Sequence, residues 1–434
     1  MGLFSRKKPS TPNAGSDAPL KANGAVKTLS ISKTNGTSMT STFRPKPDIP
    51  LPKAPDPALD PAGYLRSIYS VRERSRLVLE KAKKNQLKHF TVDMSKFQDT
   101  AAYVVSIIKR DFAPDYSKIP PHGRWQHFEV GGRPRIDQLL TSWPSTVDTQ
   151  ERTRRLIDLF VVSVLLDAGA GTRWQYRSKE SGKVYRRSEG LAVASLEMFK
   201  AGVFSSDPAE PLPPLPPLYS SLLRPHRPLP TFWNVLMDGL APIWPATRTI
   251  IDGIPIGDAW PCSIMPSHPM HPWENIVPFH KLTQWLAYSL MVPMQKLMHI
   301  HFAGAELMTG LPEYRNGGLF IDTGLLTLKP EDAMRGLEQY QRNAQIQGQP
   351  NVEVVPLFTA DDDVIVEWRA ATVGFLDELL AEVNAMLGLS GSDGLSLAQM
   401  LEAGSWKGGR EIAEVSRPNT KEPPIMILSD GTVF

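Results

Sequence analysis

The sequence holds one cysteine, Cys262, among 434 residues. That excludes an internal disulfide framework and any cysteine-rich metal site, and it suits a reducing compartment. No apolar run approaches the ~18 residues of a membrane-spanning helix, and the N-terminus lacks the apolar stretch of a secretory signal. Charge of one sign is also missing. Forty-eight basic residues face 45 acidic ones, a net +3 that creates no global pull toward nucleic acid or membrane. There is no P-loop, no Gly-x-Ser-x-Gly elbow and no dinucleotide-binding glycine fingerprint. No His-x3-His pair encloses the acid a zinc protease needs, and His299 and His301, two apart, would point to different faces of a helix. No metal or cofactor is expected.

Acids are scarce before Asp48, where only Asp17 precedes it, and aromatic residues are almost absent there. Such a segment cannot bury enough surface to offset its ordering entropy, so a disordered Pro/Ser/Thr-rich tail is expected over residues 1–63. It is acid-poor like an organellar transit peptide, yet has only Arg6 and Arg44. It begins like a myristoylation signal, but Arg6 stands where Ser or Thr is required. A cytoplasmic location is expected, with the nucleus also open. The 40 prolines concentrate in this tail and in a second stretch from Pro208 to Pro230.

What is present is helical periodicity. Ser70-Val71-Arg72-Glu73 has capping-box spacing and predicts a helix to about Asn85. Asp93 or Ser95 caps a second, with Phe97, Ala101, Val104, Val105 and Ile108 on its buried face and Pro114 ending it. A third runs from about Glu151 to Asp167 and is apolar nearly all round. Arg173–Tyr176 and Lys183–Tyr185 flank Ser181-Gly182, a small hairpin. Ser188 caps a helix through Phe199. Further helices are expected at 232–240, 279–301 (kinked at Pro293), 367–387 and 397–403. The fold class is therefore mainly α with one small β-hairpin.

Asp167-Ala168-Gly169-Ala170-Gly171 imitates a phosphate loop but follows a helix, where the dipole repels anions; a helix end explains it better. Ser188, beside Arg186 and Arg187, is either an anion site or an ordinary cap. Four segments mix aromatic and ionisable residues more densely than packing requires. They are Gly123–Glu129 with Trp125 and His127, Val277–Trp285 with Phe279 and His280, Gly310–Gly318 with Glu313-Tyr314-Arg315, and Val364–Arg369 with Glu367. The third reads as a rigid, exposed turn between Pro312 and a glycine pair. Glu367 sits in apolar surroundings that would raise its pKa unless Arg369 or Arg315 pairs with it; a buried structural ion pair is the alternative.

With Ser188–Ser195 and Ser429–Phe434, these segments resemble the uracil-catabolism family of fungi and bacteria, formerly known only as a domain of unknown function. The resemblance spans about Ser67 to Phe434. It implies a part in degrading uracil through ribosylated intermediates, and residues 64–434 as a single helical catalytic domain. Related sequences have a longer segment where residues 207–231 here are Pro-rich. A more distant similarity is to queuosine-salvage nucleosidases, which implies a DNA-glycosylase-like helical domain. There an Asp-Tyr-Arg triplet resembles Glu313-Tyr314-Arg315, a Val-Glu-x-Arg motif resembles Val366–Arg369, and a Trp-Asp pair corresponds to Trp406-Lys407.

The residues and both resemblances favour hydrolysis of the N-glycosidic bond of a ribosylated uracil-degradation intermediate such as a (phospho)ribosylurea. Glu313 is the carboxylate expected to meet the developing sugar cation, with Glu367 or His280 supplying a proton to the leaving nitrogen. Trp125, His127, Phe279, Tyr314, Arg315 and Arg369 are expected to contact substrate. Trp406, Lys407 and Arg410, in a glycine-bracketed segment, form a candidate anion site or a solvated turn. A ureido amidohydrolase and a non-catalytic pathway partner remain the alternatives. The expected ligand is a small molecule, not nucleic acid or membrane.

Overall fold

A computed structural model describes residues 49–170, 174–185, 188–204, 226–268, 270–347, 351–429 and 431–433. All lie within one compact unit, Ile49–Phe434. The chain orders before Tyr64: α1 (Pro61–Arg66) is capped by Asp60, which accepts from the Gly63 amide, and buries Ala62, Tyr64 and Leu65. The next helix, α2 (Ile68–Lys83), starts earlier than its capping-box spacing suggested. Ser70 Oγ donates instead to the carbonyls of Leu65 (3.1 Å) and Ser67 (2.9 Å), while Glu73 accepts from the Tyr64 hydroxyl (2.8 Å). A tertiary contact outcompeted the local cap.

Asp93 caps a short 3₁₀ turn that leads into α3 (Phe97–Phe112). Short helices α4 (Arg124–Phe128) and α5 (Arg135–Ser142) follow. Then comes α6 (Thr149–Gly169), opened by Asp148 accepting from the Glu151 amide at 2.8 Å. The segment Asp167–Ala170 is thus the end of a helix. Beyond it lie α7 (Ser188–Lys200), α8 (Leu229–Gly239) and α9 (Lys281–Met298), which runs through Pro293 and is buried nearly all round. The C-terminal third supplies α10 (Tyr314–Asp322), α11 (Pro330–Gln347), α12 (Asp363–Leu387) and α13 (Leu397–Met400). A π-helical turn, Leu401–Ser405, joins α13 to α14 (Trp406–Ser416).

The centre is α12, whose Trp368 and Phe375 are fully buried and which packs on α2, α3 and α10. Side chains of this kind contribute about 1.5–3 kcal/mol each when removed from water. The expected hairpin is present as Tyr176–Arg177 against Val184–Tyr185. It is not alone. Among the described residues there are six two-stranded ladders, and most pair segments distant in sequence, such as Phe90–Val92 with Leu326–Leu328. Strands this short sew loops together and carry no sheet core. Most of the Pro-rich stretch 207–231 lies outside the described residues. No described helix is long and apolar enough to cross a membrane.

Candidate active site

Helices α6, α7, α9, α10 and α14 enclose a cavity of about 490 Å³. Its construction starts at Asp258, buried just before the strand Ala259–Pro261 and paired bidentately with Arg369 of α12 (2.9 and 2.7 Å). Burial opposes its ionisation, yet the Arg369 guanidinium holds the carboxyl well below the usual range. The same carboxylate accepts from the Lys281 amide (3.0 Å), and its main-chain carbonyl accepts from the amides of Phe279 and His280. Asp258 therefore fixes the first turn of α9. His280, its N-cap, takes a left-handed φ of 47°, which is costly for a side chain this bulky. Beyond it Lys281 and Trp285, one turn apart, both reach the cavity.

Glu313 lines the same cavity. It is the N-cap of α10, and its carboxylate accepts from the backbone amides of Arg315 (2.8 Å) and Asn316. Gln284 of α9 and Thr309 bond each other twice, tying down the segment that leads to it. Only 7% exposed, Glu313 is not on the open turn its sequence suggested. The glycines explain why. A Cβ at Gly317 would stand 2.8 Å from the Trp368 ring, and one at Gly409 would strike the Arg315 carbonyl at 1.9 Å. These residues let α10 settle against α12 and α14; they do not make a turn.

Burial raises the proton affinity of Glu313, and the Lys281 ammonium opposes that rise. Burial also pushes Lys281 down, to about 7, with Glu313 the main influence in the other direction. The two groups are an electrostatic couple in one wall of the cavity. An aromatic wall adjoins them. Its rings are His122, His127, Trp285 and Trp406, with centroids 4.7 Å apart for His122–Trp285 and 5.3 Å for His127–Trp285. The π-helical turn sets this wall: Glu402 bonds His122 Nδ1 (2.6 Å) and Ser405 donates to Asn316 (2.8 Å), and the extra residue re-aims Trp406.

Of the residues singled out by sequence, the cavity brings together His127, Glu313, Tyr314, Arg315, Trp406 and Arg410. Arg410 is salt-bridged to Glu189, another lining residue. The others lie elsewhere. Glu367 is fully buried, and its oxygens accept from the amides of Lys88 and His89 (2.8 Å each), not from an arginine. Burial raises its proton affinity, as its surroundings suggested. His280 donates Nε2–H to the Leu65 carbonyl (2.8 Å), and burial lowers it to about 4. Phe279 is core, lying under the Arg369 guanidinium at 4.1 Å. Trp125 packs on Phe160 and bonds Glu129 (2.9 Å). Lys407 turns outward to Asp111, so its segment is a helix face, neither a turn nor an anion loop. Ser188, by contrast, does line the cavity, but its Oγ donates to Asp167 and accepts from Arg124 (3.0 Å), which makes it part of an internal network.

Sequence reasoning missed Lys281, Trp285, Glu422 and the supporting Asp258. For Lys281 and Trp285 the i, i+4 spacing was present in the sequence, but which face of the helix it marks depends on the Asp258 contact that starts the helix.

A family profile described as "Protein of unknown function (DUF1688)" matches residues 64–213 and 221–434. Its interruption falls inside the Pro-rich stretch. "Uracil catabolism protein 4" of Lachancea kluyveri is 41% identical over 444 residues, covering 86% of this chain and 99% of its own length. "Protein urg3" of Schizosaccharomyces pombe is 42% identical over 422 residues, covering 85% of this chain and 98% of its own. Matches of this extent show that the chain belongs to the DUF1688 family.

Proposed function

We propose that this protein works in uracil breakdown and that its cavity hydrolyses the N-glycosidic bond of a ribosylated intermediate such as a (phospho)ribosylurea. The observation that carries the reading is Glu313: a buried carboxylate, oriented by two backbone amides, on the wall of a cavity sized for a small molecule. Breaking a ribosyl C–N bond develops an oxocarbenium-like cation, which an adjacent carboxylate stabilises or traps. A carboxylate already fixed in place needs no reorganisation when that charge develops.

The leaving nitrogen requires a proton. Lys281 shares the wall with Glu313 and titrates near neutrality, the range in which a general acid works best. It takes the role that sequence gave to Glu367 or His280, neither of which lines the cavity. The name of the Lachancea relative supports the pathway, and the likeness to queuosine-salvage nucleosidases supports the bond and a DNA-glycosylase-like ancestry. A small ribosylated molecule, met in the cytoplasm, is the partner this chemistry needs.

The test is product analysis with purified full-length protein and ribosylurea, with and without a 5-phosphate. Equimolar urea and ribose, or ribose 5-phosphate, is the expected result. Ammonia and carbon dioxide from the ureido carbon would assign amidohydrolysis instead. No turnover of either compound would leave a binding protein.

A further inference from the structure

His127 is 5% exposed and lines the cavity. Its Nδ1 lies 3.1 Å from a terminal guanidinium nitrogen of Arg124. A guanidinium has donors and no acceptor, so this contact exists only if Nδ1 offers a lone pair. The ring proton must then sit on Nε2. Arg124 itself is rigidly held. It is fully buried and donates to Asp167 (2.7 Å), to Ser163 Oγ (2.8 Å) and to the Ser163 carbonyl (3.1 Å). The Nε2–H that results has no hydrogen-bond partner among the described residues. A buried donor left unmade costs free energy, so this one calls for a partner, and a ligand in the cavity can supply it. Around it stand Trp285 and Trp406, with ring centroids 5.3 and 5.8 Å from that of His127.

We propose that His127 and the two tryptophans form the subsite for the departing group, a planar ureido or pyrimidine moiety whose carbonyl oxygen accepts the His127 Nε2–H. This rests on the reading of the cavity as an N-glycosidase site, with Glu313 and Lys281 facing the sugar and the aromatic wall facing the group it carries. The arrangement selects for an acceptor: Arg124 denies the ring the other tautomer, so a ligand presenting a donor at this point finds a donor opposite it. A site whose buried polar group is left unpaired discriminates more strongly than an apolar pocket of the same shape.

The test separates this subsite from catalysis by using two C-nucleosides, whose C–C glycosidic bond no N-glycosidase cleaves. One is pseudouridine, which carries ring carbonyls; the other is phenyl C-riboside, planar and without them. Calorimetry on the full-length chain should show pseudouridine binding preferred by roughly tenfold. His127→Phe, which keeps an aromatic wall and removes the donor, should erase the preference. His127→Gln, which restores an N–H at similar reach, should recover most of it. A merely structural histidine would change both affinities together. Equal affinities in the wild type, absence of pseudouridine binding, or a preference that survives in His127→Phe would each overturn the proposal. Failure of ribosylurea turnover, with the preference intact, would instead count against the hydrolytic reading alone.

Discussion

Two buried glutamates have nearly the same local chemistry and opposite surroundings. Glu313 and Glu367 each accept two backbone amides, and burial raises the proton affinity of each. Behind Glu313 is a cavity with a lysine coupled to it. Behind Glu367 is packing: the two amides lie just before the strand Phe90–Val92, and His89 bridges Asp332 (2.7 Å) and Asp363 (2.8 Å) next to it. A perturbed carboxyl is therefore not itself a sign of chemistry. What separates the two is whether a substrate can reach the group, and only topology decides that.

The sharpest way to break the comparison is to neutralise the first carboxylate. Glu313→Gln keeps volume and one acceptor but removes the charge that meets the sugar cation. We expect kcat for ribosylurea to fall by between about 10² and 10³-fold with KM little changed. Near-normal turnover in a folded variant, with melting temperature recorded alongside, would remove Glu313 from the chemistry. Lys281→Met should cost about 10²-fold, because an intact ammonium must protonate the leaving nitrogen. The sign of the pH effect follows. Lys281 titrates at about 7, so the protonated donor is lost as pH rises and kcat declines through that value. In Lys281→Met this limb should vanish; a limb that stays would assign it to another group.

Much of this was legible in the sequence, and the limits have physical causes. The helices at 97–112 and 149–169 were visible because their buried faces are apolar at helical spacing. Helix α11 was invisible for the converse reason. Its buried positions, Asp332, Gly336 and Tyr340, recur every four residues but are not an apolar stripe. The segments that build the site are recognisable from sequence, while their phase is not. In 277–285 the sequence favours Phe279 and His280, which face the core; Lys281 and Trp285, i and i+4 on α9, face the cavity. In 406–410 the same spacing puts Trp406 and Arg410 inward and Lys407 outward. Phase depends on where each helix starts, and α9 starts where Asp258 captures it, a contact spanning the loop between.

The second glutamate should report on stability, not turnover. Glu367→Ala leaves the buried amide of His89 and the part-buried amide of Lys88 without their acceptor. Unpaired groups of this kind cost about 1–3 kcal/mol each, so the unfolding free energy should drop by roughly 2–4 kcal/mol. At a temperature where the variant stays folded, kcat should remain within about threefold of wild type. A large kcat loss without destabilisation would return Glu367 to the reaction and dissolve the contrast with Glu313.

The smallest effect belongs to the histidine beside Glu367. Burial of His89 disfavours its charged form, but hydrogen bonds from its ring to Asp363 and Asp332 outweigh that and raise its proton affinity. Lys88 and Arg335 also face these carboxylates, so the cluster is an ion network in which His89 is the group whose proton affinity is raised. In the unfolded chain histidine titrates at about 6.5. A base raised above that value in the folded state adds stability that is fully present below about pH 6.5 and lost as pH rises through the folded value. The stability difference between wild type and His89→Gln, measured by urea unfolding, should accordingly shrink as pH increases from 6 to 9. Groups not coupled to His89 are common to both proteins and cancel in the difference, while Glu367, Asp332 and Asp363 are coupled to it. Because the cluster is partly open to solvent, screening keeps the change modest. A difference that stays constant with pH would mean that folding leaves the proton affinity of His89 unchanged. The coupling of charge to a group that titrates would then be confined to the cavity side, where Lys281 faces Glu313.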